Sequence, residues 1–148
     1  MNHELSTIEF IKSTREYVTT PLPNVRGDLV LGWQHKLSPS EINSELLTWS
    51  SEYSDYVLVN DLIKIDKALK KLITTDLTQS RYNAIVSLVY DIGILRFKLS
   101  GIVELLNKVD HLSVESQFKR WGGYLKNKNY TLVKLRKLEA ELYVKGNK

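Results

Sequence analysis

The chain has no cysteine. Disulfides, thiol nucleophiles and cysteine-ligated zinc are excluded, and the redox compartment is left open. Three prolines and seven glycines in 148 residues are too few for a low-complexity or collagen-like chain. No apolar run approaches the roughly 18 residues that a membrane-spanning helix needs. The start, Met1-Asn2-His3-Glu4, lacks a basic stretch followed by an apolar one, so no signal peptide is expected. The three histidines, His3, His35 and His111, have no HExxH spacing, and neither a metal site nor a cofactor is expected. No internal repeat breaks the chain into units.

What is present suits one globular domain. Hydrophobic residues make up 43% and charged residues 26%, enough of both for a core and a solvated surface. The net charge of +4 is unevenly spread. From Lys119 onward nine Lys or Arg stand against Glu139 and Glu141, a local +7, which leaves −3 for the first 118 residues. A basic C-terminal part suits a polyanionic partner such as a cell-wall polymer; a solvated helix face is the plainer alternative.

Residues 24–35 organise the rest. They hold Gly27, Gly32 and a β-branched run, between segments that read as helices. Before them, Ser6-Thr7-Ile8-Glu9 has the form of a capping box, and the periodicity predicts a helix over about 7–17. Pro21 and Pro23 forbid helix and require an extended turn. Arg26-Gly27-Asp28 reads as a hairpin turn and residues 29–33 as a short strand. Ser38-Pro39-Ser40-Glu41 starts a second helix, with Ile42, Leu46 and Trp49 on its apolar face. A long amphipathic helix is predicted over about 55–73, and a central, most buried one over 78–91 that ends at Gly93 in a left-handed conformation. Shorter helices follow over 100–107 and after Ser113, and a last one over 131–143 turns Leu132, Leu135, Leu138 and Leu142 inward. The class expected is α+β, mostly α, with a small sheet framing a cleft.

The order of motifs resembles one family. The run from Gln79 through Ala84, Ser87 and Asp91 to Gly93 is similar to the "Q-x-x-x-x-A-L-x-S-x-x-x-N-x-G" segment of phage-type lysozymes, the endolysins of glycoside hydrolase family 24. Phe97 to Val103 with Leu106-Asn107 resembles "F-x-x-S-T-L…L-N". Phe118-x-x-Trp121 resembles "F-x-x-W", and Arg136-x-x-Glu139-x-x-Leu142 resembles "R-R-x-x-E-x-x-L" with Leu135 in place of the first Arg. Residues 27–35 resemble "G-x-x-T-I-G-x-G-H", with Gln34 at the second Gly of "G-x-G-H". The resemblance spans nearly the whole chain. It implies one lysozyme-like domain over 1–148: a hairpin lobe over about 18–58, and a helical lobe of 59–148 with the N-terminal helix. It further implies cleavage of the β-1,4 bond between N-acetylmuramic acid and N-acetylglucosamine, with peptidoglycan as partner.

The family uses a Glu as general acid, and an Asp and a Thr to position and activate water. Carried over without gaps, these positions are Arg15, Asn24 and Val30. Arginine releases no proton at physiological pH, asparagine is no base, and valine has no hydroxyl. An active enzyme would have to use Glu16 as acid and Asp28 in place of the missing Asp. The resemblance further suggests Trp33, His35 and Arg136 as substrate-binding residues, with core packing as the alternative for Trp33 and a hydrogen-bonded structural role for His35. Tyr124, Lys126, Lys128 and Tyr130 interleave aromatics with bases; a surface loop is preferred to nucleic-acid binding.

The expectation is a lysozyme homologue impaired in catalysis. It would keep a peptidoglycan-binding cleft or serve a structural role in a phage or contractile-tail particle, with a phage protein as a further partner. The alternatives are an active divergent endolysin and a protein-binding module. The implied location is the cytoplasm of the infected bacterium or the virion.

Overall fold

Eight helices and three strands follow one another among the residues described in this computed structural model, 5–42, 48–123 and 130–145. Helix α1 (Leu5–Thr14) leads into β1 (Val18–Pro23), β2 (Leu29–Gly32) and β3 (His35–Lys36). The short α2 (Pro39–Ile42) precedes the long α3 (Ser51–Leu72) and the central α4 (Gln79–Ile92). Then come α5 (Ile94–Leu99), α6 (Ile102–Asn107), α7 (His111–Gly123) and α8 (Tyr130–Lys145). The mostly helical α+β class is therefore observed.

The sheet is antiparallel in the order β1-β2-β3. Val30 pairs with Leu22 on one side and Lys36 on the other, and Leu31 pairs with His35. Pro21 and Pro23 are strand residues, not turn residues. They are tolerated because β1 is an edge strand, where a missing N–H breaks no inner ladder. The β1–β2 turn is built by Asn24. Its side-chain oxygen accepts the backbone N–H groups of Arg26 at 2.9 Å and Asp28 at 3.0 Å. The β2–β3 connection is only Trp33-Gln34. It works because Gly32 takes φ +64, a conformation that costs glycine little.

Helix α4 is the core of the molecule: Tyr82 through Val89 and Ile92 are all buried. Thr78 caps it, accepting the Arg81 N–H. Its polar residues join it to the neighbouring helices. Asn83 donates to Ser6 of α1 at 3.0 Å, and the Tyr82 hydroxyl donates to Asp66 of α3. Asp66 thus sits on the inner face of α3 because it has a buried donor to accept.

Several boundaries differ from expectation, each for a local reason. Ser6 lies inside α1, its hydroxyl taken by Asn83. Helix α1 stops at Thr14, short of residue 17, because the chain must turn into β1. Helix α3 starts at Ser51, capped by Ser50, whose hydroxyl accepts Tyr53 N–H at 3.1 Å. Asp110 accepts the N–H of Ser113, so Ser113 lies within α7. Gly93 has φ +86 but ψ 158, so its positive φ ends α4 without a left-handed turn. Strand β3 and helix α5 were not expected. Leu46 and residues 124–129 lie outside the described residues, as does the side chain of Tyr130. In contrast, α2 starts as expected: Ser38 N–H donates to Glu41 Oε1 at 2.8 Å, and Glu41 N–H donates back to the Ser38 hydroxyl at 3.4 Å.

Gly32 anchors the sheet against α3. A Cβ there would lie 3.0 Å from Ser54 Oγ and 3.3 Å from the Trp49 ring, at a φ that disfavours side chains. Gly32→Ala is expected to cost about 1–3 kcal/mol, read as a lower urea midpoint at unchanged m-value.

Candidate active-site cleft

A cleft of about 280 Å³ opens between the sheet, the end of α1, α4 and α8. Arg15, Glu16, Asn24 and Val30 all line it, together with Gln34, Lys36, Tyr90 and Asp91. The three positions carried over from the family are thus gathered in one place. Their chemistry is set by what each side chain touches.

Arg15 follows directly on α1 and turns inward, with 8% of its surface exposed. Its guanidinium donates to the Ser87 hydroxyl at 2.9 Å and the Ser87 carbonyl at 2.8 Å. It stands 3.8 Å from Glu139 and 5.4 Å from the centre of the Tyr90 ring. Burial pulls the Arg15 pKa down, while Glu139 and Asp91 pull it back up. An arginine starts so high that it remains a cation at neutral pH.

Glu139 has no exposure at all. The Ser87 hydroxyl donates to it, and Arg136 Nη1 lies 2.7 Å away, close but not aligned as a hydrogen bond. Burial pushes the Glu139 pKa up; Arg136, Arg15 and the Ser87 bond oppose that push. Arg136 also binds Asp91 Oδ2, and Arg26 reaches across from the hairpin turn to Asp91 Oδ1 at 3.1 Å. Lys36 Nζ donates to the Asp91 carbonyl. The result is a chain of charges, Arg15–Glu139–Arg136–Asp91–Arg26, with Lys36 at its edge. Both carboxylates of that chain are engaged by arginines.

The remaining candidates are placed as follows. Glu16 is exposed at the cleft, and its carbonyl accepts Gln34 Nε2 at 3.1 Å. It lies beyond the end of α1, so helical geometry does not force it away from Arg15. Asn24 lines the cleft with its side-chain oxygen spent on the turn. Val30 is 4% exposed and offers only methyl groups. Asp28 is pinned in the turn by two bonds to Asn24 and is not among the residues lining the cleft. Trp33 is also not among them; its indole N–H donates to Asp55 at 2.9 Å and its ring meets Tyr17 edge-on. Arg136, expected at the substrate, is 1% exposed and ion-paired with Asp91 and Glu139. The helical period puts it on the inner face of α8, where its charge serves packing rather than ligand. His35 is held between Asp61 at 2.6 Å and Glu41 at 3.1 Å, joining β3 to α3 and α2.

Asp91, Ser87 and Glu139 were visible in the sequence only as motif letters, Arg26 only as a turn residue, and Lys36 by no signal at all. Their importance comes from contacts between elements far apart in the chain, which no local spacing reveals. Among the described residues no cluster of His, Cys, Asp and Glu could hold a metal ion.

A small antiparallel sheet, a buried central helix and a cleft between them are the features of a lysozyme-like fold. Solved structures agree. The muramidase domain of SpmX from Asticaccaulis excentricus superposes with a TM-score of 0.80 at 23% identity, covering 97% of this chain and 99% of that one. The endolysin from Escherichia coli O157:H7 phage FAHEc1 gives 0.80 at 20% identity, covering 97% and 94%. At such identities the likeness establishes the fold alone. The endolysin of Bacillus phage B103 is 28% identical over 157 residues, covering 99% of this chain but only 55% of that protein, so the chain spans about half of that relative's length. The endolysin of Acyrthosiphon pisum secondary endosymbiont phage 1 is 29% identical over 122 residues, 80% of each chain. The sequence profile of the phage lysozyme family matches residues 13–139, and the chain belongs to that family.

Two predictions follow from the charge chain and from His35. Glu139→Ala would leave Arg15 and Arg136 buried without their shared carboxylate. The expected loss is about 3–5 kcal/mol, the usual cost of removing one member of a buried ion pair, measurable by urea unfolding. For His35, burial alone would lower the pKa; bonds to Asp61 and Glu41 outweigh it, so the net shift is upward from 6.5. Burial acts to raise Glu41, but bonds to Ser38 and His35 bring it below 4.5. The stability His35 contributes is therefore full below pH 6.5 and is lost as pH rises through its raised value. That of Glu41 is full above 4.5 and is lost as pH falls through its lowered value. The melting-temperature gap between the wild type and His35→Asn should shrink from about pH 6 to pH 9.

Proposed function

We propose that this chain is a phage lysozyme homologue that binds the glycan of peptidoglycan in its cleft without hydrolysing it. Arg15 carries this reading. Glycoside hydrolysis needs a carboxylic acid that delivers a proton to the leaving oxygen, with a second group supporting attack from the other face. At the acid's position stands a permanent cation, committed to Ser87 and Glu139. Asn24 and Val30, at the other two family positions, bring neither charge nor hydroxyl. Glu139, buried, and Asp91, half-buried on the cleft wall, are both held by arginines. The cleft itself is retained, which supports binding as its remaining use. This reading puts the chain in contact with cell wall, after release from an infected cell or as part of a particle.

One observation favours a second reading. Glu16 lines the cleft and is exposed, so an active enzyme could use it as acid. That reading lacks its second group, because Asp28 does not line the cleft.

Purified protein mixed with insoluble peptidoglycan separates the two. The expected result is co-sedimentation with no fall in turbidity, at a rate at least about 10²-fold below that of an active endolysin, the low end of what general acid catalysis contributes. Lysis that disappears in Glu16→Gln would overturn the proposal in favour of an enzyme. No lysis and no sedimentation would overturn both and favour a protein partner.

A further inference from the structure

The β2–β3 connection separates two cavities. One is the cleft described above. The other, about 240 Å³, lies between β3, α3 and the α4–α5 junction, with His35, Asp61 and Gly93 on its wall. Gln34, Lys36 and Tyr90 line both cavities. The two are thus adjacent compartments of one groove, and these three side chains form the wall between them. Each compartment by itself, at 280 and 240 Å³, falls just below the range of about 300–1,000 Å³ usual for ligand sites.

The wall is fixed at both ends. Gln34 Nε2 donates to the Glu16 carbonyl at 3.1 Å. Lys36, rooted in β3, donates to the Asp91 carbonyl at the end of α4. The Tyr90 hydroxyl, rooted in α4, donates to the Trp33 carbonyl at 2.6 Å. Gln34 is also conformationally costly: its φ is +66, in the left-handed region that few side chains adopt. A glycine would take that conformation without strain and would leave no side chain in the groove. Strain kept at a site is a pointer to use, and here the strained residue is one that divides the groove.

The geometry points to Gln34 and Lys36 as the residues that set the length of glycan the groove accepts, limiting it to a short saccharide or a chain end in the Glu16 compartment. The interior of a long strand would have to pass through the wall. This rests on the glycan-binding reading of the cleft, and the test below separates the failure of one from the failure of the other.

The probes are β-1,4-linked N-acetylglucosamine oligomers, dimer to hexamer, titrated calorimetrically into the full chain. For the wild type, affinity is expected to stop rising at the trimer, with the hexamer within about threefold of it. In Gln34→Gly/Lys36→Met the compartments merge, and the hexamer should bind about tenfold tighter than the trimer. Gln34→Gly alone relieves the strained φ and should show part of the same gain, so the test stands even where the double variant folds poorly; melting curves identify such a case. Wild-type affinity that climbs with each sugar to the hexamer overturns the partition and leaves glycan binding intact. Equal plateaus in wild type and well-folded variants also overturn it. No binding by any of the proteins overturns glycan binding and the partition together. Binding that appears only in the variants supports the wall and overturns glycan binding by the wild type.

Discussion

A buried arginine that must be neutralised organises this molecule. Arg15 sits at the junction of α1 and the sheet, largely withdrawn from water. A charge so placed is costly unless it is paired and hydrogen-bonded. Ser87 of α4 supplies two acceptors and Glu139 of α8 the counter-charge. Neither partner lies near Arg15 in sequence, so the end of α1 is settled only when α4 and α8 are both in place. Glu139 in turn needs Arg136, its neighbour one turn earlier on the same face of α8, and Arg136 needs Asp91. The hairpin turn joins the chain through Arg26. One requirement, that no charge be left alone, therefore links the end of α1, α4, α8 and the hairpin turn around the cleft.

On the proposed reading, the three positions carried over from the family share a physical character. Asn24 holds the turn through a side-chain oxygen that accepts two backbone N–H groups. An aspartate could accept the same two bonds, so the turn does not require the amide. What the amide removes is the charge. Val30 fills the space a threonine would and removes the hydroxyl. On the proposed reading Arg15 stands where the family has a group that exchanges a proton, and holds its own permanently. On that reading shape is kept at Asn24 and Val30 while titratable or nucleophile-orienting chemistry is withdrawn at all three, which supports retained binding over turnover.

Much of the fold was legible because its signals are local. The reciprocal Ser38–Glu41 cap, the apolar face of α4 and the prolines that forbid helix before the hairpin are all stated within a few residues. Other elements were illegible for the converse reason. Strand β3 is two residues long and exists by pairing with β2. Helix α5 follows a glycine whose φ, not its neighbours, ends α4. Ser6 reads as a cap until Asn83 takes its oxygen. At the site, the sequence brought Arg15, Asn24 and Val30 to one cleft through family likeness. Family likeness also put Arg136 at the substrate, but likeness names a position and not whether its side chain meets ligand or protein; here it is buried against Asp91 and Glu139. Asp91 was passed over for the same reason: its role is given by Arg26, Arg136 and Lys36, none of them within hydrogen-bonding spacing along the chain.

Asp91 and Tyr90 also show why the groove is divided. Lys36 and Tyr90 tie the sheet to α4 from opposite sides, and Gln34 ties the β2–β3 connection to the segment after α1. A hydrogen bond of this kind contributes about 0.5–1.5 kcal/mol net. Three acting together would hold the undivided groove about 3 kcal/mol above the observed one, a population below about 1%. A ligand that needs the whole groove would see its affinity reduced by that fraction, whereas a ligand confined to one compartment would not. An enzyme that must travel along a polymer gains nothing from such ties. A protein that has only to hold the end of one loses nothing by them.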